Sequence, residues 1–172
     1  MQLLNTLVAI TALLIDVSVP SPISSAHRTL SISSTTPNPI VNRTAPMIFI
    51  PSERNDQCGA SSFQDQTVPG SSPLTFDCLT IPSNIASGGR WSVEAVTANK
   101  HQLVHYGTCA LGVQNVPPYG DAFFYVGNSD IIDVISDSVQ WYGRDGVVAA
   151  NGTMRCRAAA LGASAMWEIY HT

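Results

Sequence analysis

Three histidines, His101, His105 and His171, and three aspartates, Asp130, Asp133 and Asp137, are the side chains whose types and spacing invite chemistry in this chain. Residues four apart on an extended strand share a face, so His101 and His105, with His171 approaching, could bind a metal ion. The simpler reading is a strand with one packed and one solvent-facing histidine, since no carboxylate is evidently placed to orient either ring. The aspartates fall at i, i+3 and i+7, on one side of a helix, where they could hold a cation or act as paired acids. A solvated helix face accounts for them better, because glycoside hydrolysis needs two carboxyls facing each other across a sugar. Serine chemistry lacks a GxSxG context, and Gly88-Gly89-Arg90 lacks the strand and helix of a phosphate loop. Trp91, Trp141, Trp167 and Tyr119 could stack on a carbohydrate, but large aromatics in a small domain belong first to the core. No catalytic, cofactor-binding or metal site is therefore expected, and the chain reads as a non-enzyme.

Cys58, Cys78, Cys109 and Cys156 include no CxxC pair and no histidine at finger spacing, a pattern poor for zinc and natural for two disulfides. Three pairings are open. The nested one, Cys58–Cys156 with Cys78–Cys109, is preferred because it ties an N-terminal arm to a late strand and a helix to a central strand. Each such loop stabilises by about 3 to 5 kcal/mol in the chain-entropy model. Asn42-Arg43-Thr44 and Asn151-Gly152-Thr153 are glycosylation acceptors by sequence; Gly152 suggests that Asn151 sits in an exposed loop near a turn.

Leu3 to Ile15 is an apolar run of signal-peptide length, too short to span a bilayer, and Ser24-Ser25-Ala26 offers small residues for cleavage. Residues 1–26 are therefore expected to be a signal peptide and the product secreted and extracellular, with no transmembrane anchor. Residues 27–54, rich in Pro, Ser and Thr, read as a flexible leader, leaving 55–172 as one domain. A net charge of −4 with 12% charged residues gives no basic footprint for nucleic acid.

These side chains need a frame. Leu74 to Ala86 suggests a short helix stopped by Gly88-Gly89, with a kink or break at Pro82. Trp91 to Val96 and His101 to Val113 alternate like two strands, and the short polar link between them suggests an antiparallel hairpin. Ala122 to Val126 is a short apolar strand leading to a helix that Asn128 caps. There Ile131, Ile135, Val139 and Tyr142 form one stripe and Gly143 closes the end. Val147 to Cys156 and Ala165 to Tyr170 read as closing strands. The fold class is α+β: a small disulfide-braced domain with a mostly antiparallel sheet of four to five strands and two helices packed on it.

DQCGASSF, SPLTFDCL followed by NIASGGRW, HQLVHYGTCALGV and AFFYVGNSDIIDVI, in this order over Asp56 to Tyr170, resemble the fungal secreted Ecp-type effector family, the necrosis-inducing-factor domain. The resemblance implies a secreted fungal protein acting on a host plant or on competing microbes, with necrosis as an outcome. It also implies a killer-toxin-like α/β sandwich by analogy, and kinship with domains attached to chitinases. The functional expectation is an effector that binds a host or competitor target, protein or glycan. Its alternatives are a carbohydrate-binding accessory or antimicrobial toxin-like protein, and a hydrolase with an unfamiliar site.

Overall fold

The computed structural model describes residues 46–51, 55–117 and 121–172. The expected signal peptide, most of the leader, Asn42 and Tyr119 lie outside the described residues.

Among the described residues, nine strands and two helices follow one another as β1 (Met47–Ile50), β2 (Cys58–Ser61), β3 (Gln64–Asp65), α1 (Thr75–Ile85), β4 (Arg90–Glu94), β5 (His101–Tyr106), β6 (Cys109–Val116), β7 (Phe123–Gly127), α2 (Asn128–Tyr142), β8 (Ala150–Cys156) and β9 (Ala163–His171). They build two antiparallel sheets. One has the order β1-β4-β7; the other runs β2-β8-β9-β6-β5, with β3 also paired to β8. The α+β class holds, with more strands than the four to five expected.

The expected hairpin between Trp91–Val96 and His101–Val113 does not form. β4 already has β1 on one side and β7 on the other, so it has no free edge for β5. Glu94 instead turns the chain away, its carboxylate accepting the backbone N–H groups of Val96 at 3.0 Å and Thr97 at 3.2 Å. The hairpin lies inside the segment read as one long strand. Gly107, at φ +53°, makes a tight turn with Thr108, and β5 folds back on β6. The turn is held by Asp77 of α1, which accepts both the N–H and the hydroxyl of Thr108 at 2.8 Å, and these bonds hold its pKa below the usual carboxylate value.

Three further expectations change. Met47–Ile50, placed in the flexible leader, is strand β1, because its apolar residues find the free edge of β4 in register Met47 to Val93. Helix α1 continues through Pro82 without a break, since the proline sits one turn before the end, where few intrahelical bonds remain to be lost. Asn151 lies not in a loop but in β8, opposite Gln64 and Glu168. Its neighbour Gly152 is buried for a packing reason: a Cβ there would stand 1.8 Å from the Ser62 carbonyl oxygen.

The core collects Trp167, Phe124, Leu111, Ile131, Ile135 and Ile169, all essentially inaccessible to solvent. Each such side chain stabilises the fold by roughly 1.5–3 kcal/mol. The apolar stripe read from the sequence of α2 supplies Ile131 and Ile135, joined by Val134.

Candidate functional site: a groove between an edge strand and a helix

β2 is the terminal strand of the six-stranded sheet and pairs only with β8. In an antiparallel ladder, residues alternate between facing the partner and facing away. Here Arg157 donates its N–H to the Gln57 carbonyl at 2.8 Å and Ser62 donates to the Thr153 carbonyl at 2.8 Å. Cys58 and Ser61, opposite Cys156 and Met154, therefore turn their own backbone polar groups away from β8.

Helix α2 stands along that outer edge, and the aspartates spaced along it do unlike jobs. Asp130 is buried. Its Oδ2 accepts N–H groups from Gly127 at 2.7 Å and Gln57 at 3.0 Å, and its Oδ1 accepts that of Cys58 at 3.2 Å. Burial pushes its pKa up to about 6, although all three donors favour the ionised form. This carboxylate fastens the N-terminal arm to α2. Asp133 is exposed and Asp137 half-buried. Desolvation in the groove, followed by the charges of Asp137 and Asp56, raises the pKa of Asp133. The solvated face expected for all three thus fits the last two, whereas Asp130 is an internal fastening.

The groove between β2 and α2 encloses about 430 Å³, with Asp56, Asp133, Asp137, Phe63 and Trp141 around the small residues of β2. Trp141 is 54% exposed. It meets Phe63 edge-on with ring centroids 4.7 Å apart, and Phe63 in turn meets the buried Trp167 edge-on at 5.0 Å. This ladder anchors an exposed indole in the core. Of the other tryptophans, Trp167 belongs to the core, and half-buried Trp91 donates from Nε1 to Asn128 Oδ1 at 3.2 Å.

Across the wall made by Cys58 and Gly59 lies a second depression of about 590 Å³, flanked by Arg155 and Arg157. Cys58 is bonded to Cys156, closing that wall, and Cys78 is bonded to Cys109 between α1 and β6. This is the nested arrangement.

The histidines do not converge. A bulge between Gln102 and Val104 shifts β5 by one residue, so His101, opposite Val113, and His105, opposite Ala110, lie on different faces of the sheet. His101 Nε2 instead stands 3.2 Å from Glu94 Oε1, a carboxylate partner that sequence spacing did not reveal because the chain folds between sheets there. Among the described residues no group of three or more His, Cys, Asp or Glu side chains is arranged to hold a metal ion.

Two sheets, two helices and two nested disulfides around an open groove define the class: a small disulfide-braced α+β domain. The sequence match makes it specific. Residues 57–156 match the Hce2 family, described as "Pathogen effector; putative necrosis-inducing factor", and the chain belongs to that family. Two proteins of Penicillium expansum are similar to it. "Probable chitinase LysM18" is 32% identical over 66% of this chain, and "Secreted chitinase LysM12" is 30% identical over 64%. The chain spans only 8% and 7% of the lengths of those relatives.

Proposed function

We propose that the chain is a secreted effector that acts by binding a host or competitor target, not by catalysis, with necrosis as the outcome in a susceptible host. The family it belongs to supports the effector role. The observation that carries binding over catalysis is the commitment of Asp130. Three backbone N–H groups occupy it, two on one oxygen and one on the other, so the most buried carboxyl in the groove is committed to holding the N-terminal arm and the start of α2. In this reading residues 1–26 are removed on export, 27–54 precede the effector domain and dock on it through β1, and Asn42 and Asn151 are glycan acceptors.

Infiltration of purified, oxidised protein into susceptible leaves, beside a reduced and alkylated control, tests this reading. Cell death with the oxidised form alone supports a folded effector, and no response to either removes necrosis from the reading.

A second reading, carbohydrate binding, is favoured by the exposed Trp141 and by the chitinase names of the two relatives. Retention of the protein on chitin or β-glucan, lost on Trp141→Ala, is its expected signature, and failure to be retained counts against it.

A further inference from the structure

The groove joins two features that have no use for one another in an isolated domain. Its strand side is an unpaired edge: Ser61 turns its N–H and carbonyl away from β8, and Gly59, Ala60 and Ser61 carry side chains too small to keep another backbone from approaching. Its helix side presents negative charge that no ion pair among the described residues compensates. The ion pairs formed among the described residues are Lys100–Glu168, His101–Glu94 and Arg144–Asp65, and none involves Asp56, Asp133 or Asp137.

The dimensions agree. Asp133 to Trp141 covers about 12 Å of helix at roughly 1.5 Å per residue. That equals about four residues of extended chain at roughly 3.3 Å each. Asp133, Asp137 and Trp141 follow one another at four-residue intervals, so they form one stripe along the groove.

We propose that this groove takes an extended, basic peptide segment of a target protein, added as a further strand on the free edge of β2 with its cationic side chains against Asp133 and Asp137. The inference rests on the reading that the chain acts by binding, and it names the chemistry of the partner. Main-chain hydrogen bonds to the Ser61 end of β2 supply registration, and alternate side chains of the incoming strand point toward α2. Charge complementarity selects Arg or Lys at those positions, and the face of Trp141 receives a guanidinium or an aliphatic stem at one end. A neutral glycan would use the indole and could hydrogen-bond the carboxylates, but it would bring them no positive charge and would bring no main-chain ladder to the strand edge.

The test titrates the oxidised, secreted full-length protein with the acetylated, amidated hexapeptide Arg-Thr-Arg-Thr-Arg-Thr, following tryptophan fluorescence and heat. Saturable one-to-one binding is expected, with none for Glu-Thr-Glu-Thr-Glu-Thr. The double variant D133N/D137N should weaken binding at least tenfold while leaving thermal unfolding nearly unchanged, because neither side chain is buried. Two N-methylated peptides, one blocked at its Thr amides and one at its Arg amides, keep the charge but lose alternate donors. One of the two should bind at least tenfold more weakly than the parent. Absence of saturable binding, or equal binding by the parent and both N-methylated peptides, overturns strand addition. Tighter binding of an N-acetylglucosamine hexamer, which is neutral, than of the peptide assigns the groove to a glycan and also overturns it. Leaf infiltration is read separately: peptide binding without cell death defeats the necrosis reading alone.

Discussion

Two seams of this domain are closed by the same kind of bond and behave as opposites. At the α1–β6 seam, Cys78 and Cys109 are both completely buried, and Asp77 clamps the Thr108 turn beside them. At the β2–β8 seam, Cys58 is only partly buried, its strand is the edge of a sheet, and its outer side is held by the single carboxylate of Asp130. The first seam belongs to the core. The second fixes a wall between two open depressions. A disulfide placed in packed core holds the whole fold, whereas one placed at an edge holds a local surface in position.

Loop length alone ranks the seams the other way. Closing 98 residues constrains the unfolded chain by about 5 kcal/mol and closing 31 by about 4 kcal/mol. Replacing Cys78 and Cys109 by Ala should nevertheless have the largest effect, a loss of at least about 4 kcal/mol in urea unfolding, since buried packing is lost with the constraint. A smaller loss than that from the Cys58 and Cys156 pair would break the comparison.

The next effect sharpens it through Asp130. Its folded pKa of about 6 lies above its ordinary value of 3.8, so the ionised form is penalised in the folded state. Its contribution is fully present below pH of about 4 and is lost as pH rises through about 6, a swing on the order of 2–3 kcal/mol. Asp65, Asp77 and Glu94 are shifted downward, so their contributions fade as pH falls through and below their ordinary values, at the acid end of the window, while Asp133, shifted upward, adds to the fall with rising pH. Unfolding measured from pH 4 to 7 should show stability falling with pH, and Asp130→Asn should flatten the slope. An unchanged slope would detach Asp130 from the arm's energetics.

Replacing Cys58 and Cys156 by Ala comes third, at about 2 kcal/mol in global unfolding, because an edge arm can open without the rest. Hydrogen exchange should accelerate over residues 58–65 and remain slow in β6 and β9. Trp141→Ala is smallest in stability, less than about 1 kcal/mol in a thermal melt, since half of the ring already faces water. A larger loss would make the indole a structural support of Phe63.

The sequence was most legible where a period ran unbroken. The α2 stripe, the short strand before it and the closing strands all stand close to their expected places, because apolar spacing there coincides with burial. It was least legible between Trp91 and Val113. Alternation continues on both sides of Gly107, so one glycine was the sole sign of a turn, and a single-residue bulge moved His105 to the other face. The groove was invisible for a different reason. Asp130 works through backbone N–H groups 72 and 73 positions away, and backbone donors carry no sequence signature. Side-chain spacing along α2 singled out these aspartates as a solvated face, which holds for Asp133 and Asp137 but gave Asp130 the wrong surroundings.

The nesting of the two cysteine pairs also bears on how the chain is assembled. Contact probability falls with about the three-halves power of loop length, so the ends of the 31-residue loop meet about six times as often as those of the 98-residue loop. The inner crosslink can therefore close first around α1, β4 and β5, and the outer one later, once β8 exists for Cys58 to lie against. Because one loop lies wholly within the other, neither has to be threaded, and a thiol that opens the outer bond leaves the inner ring intact. A protein so wired can lose and regain the outer end of its arm without revisiting the step that created its interior.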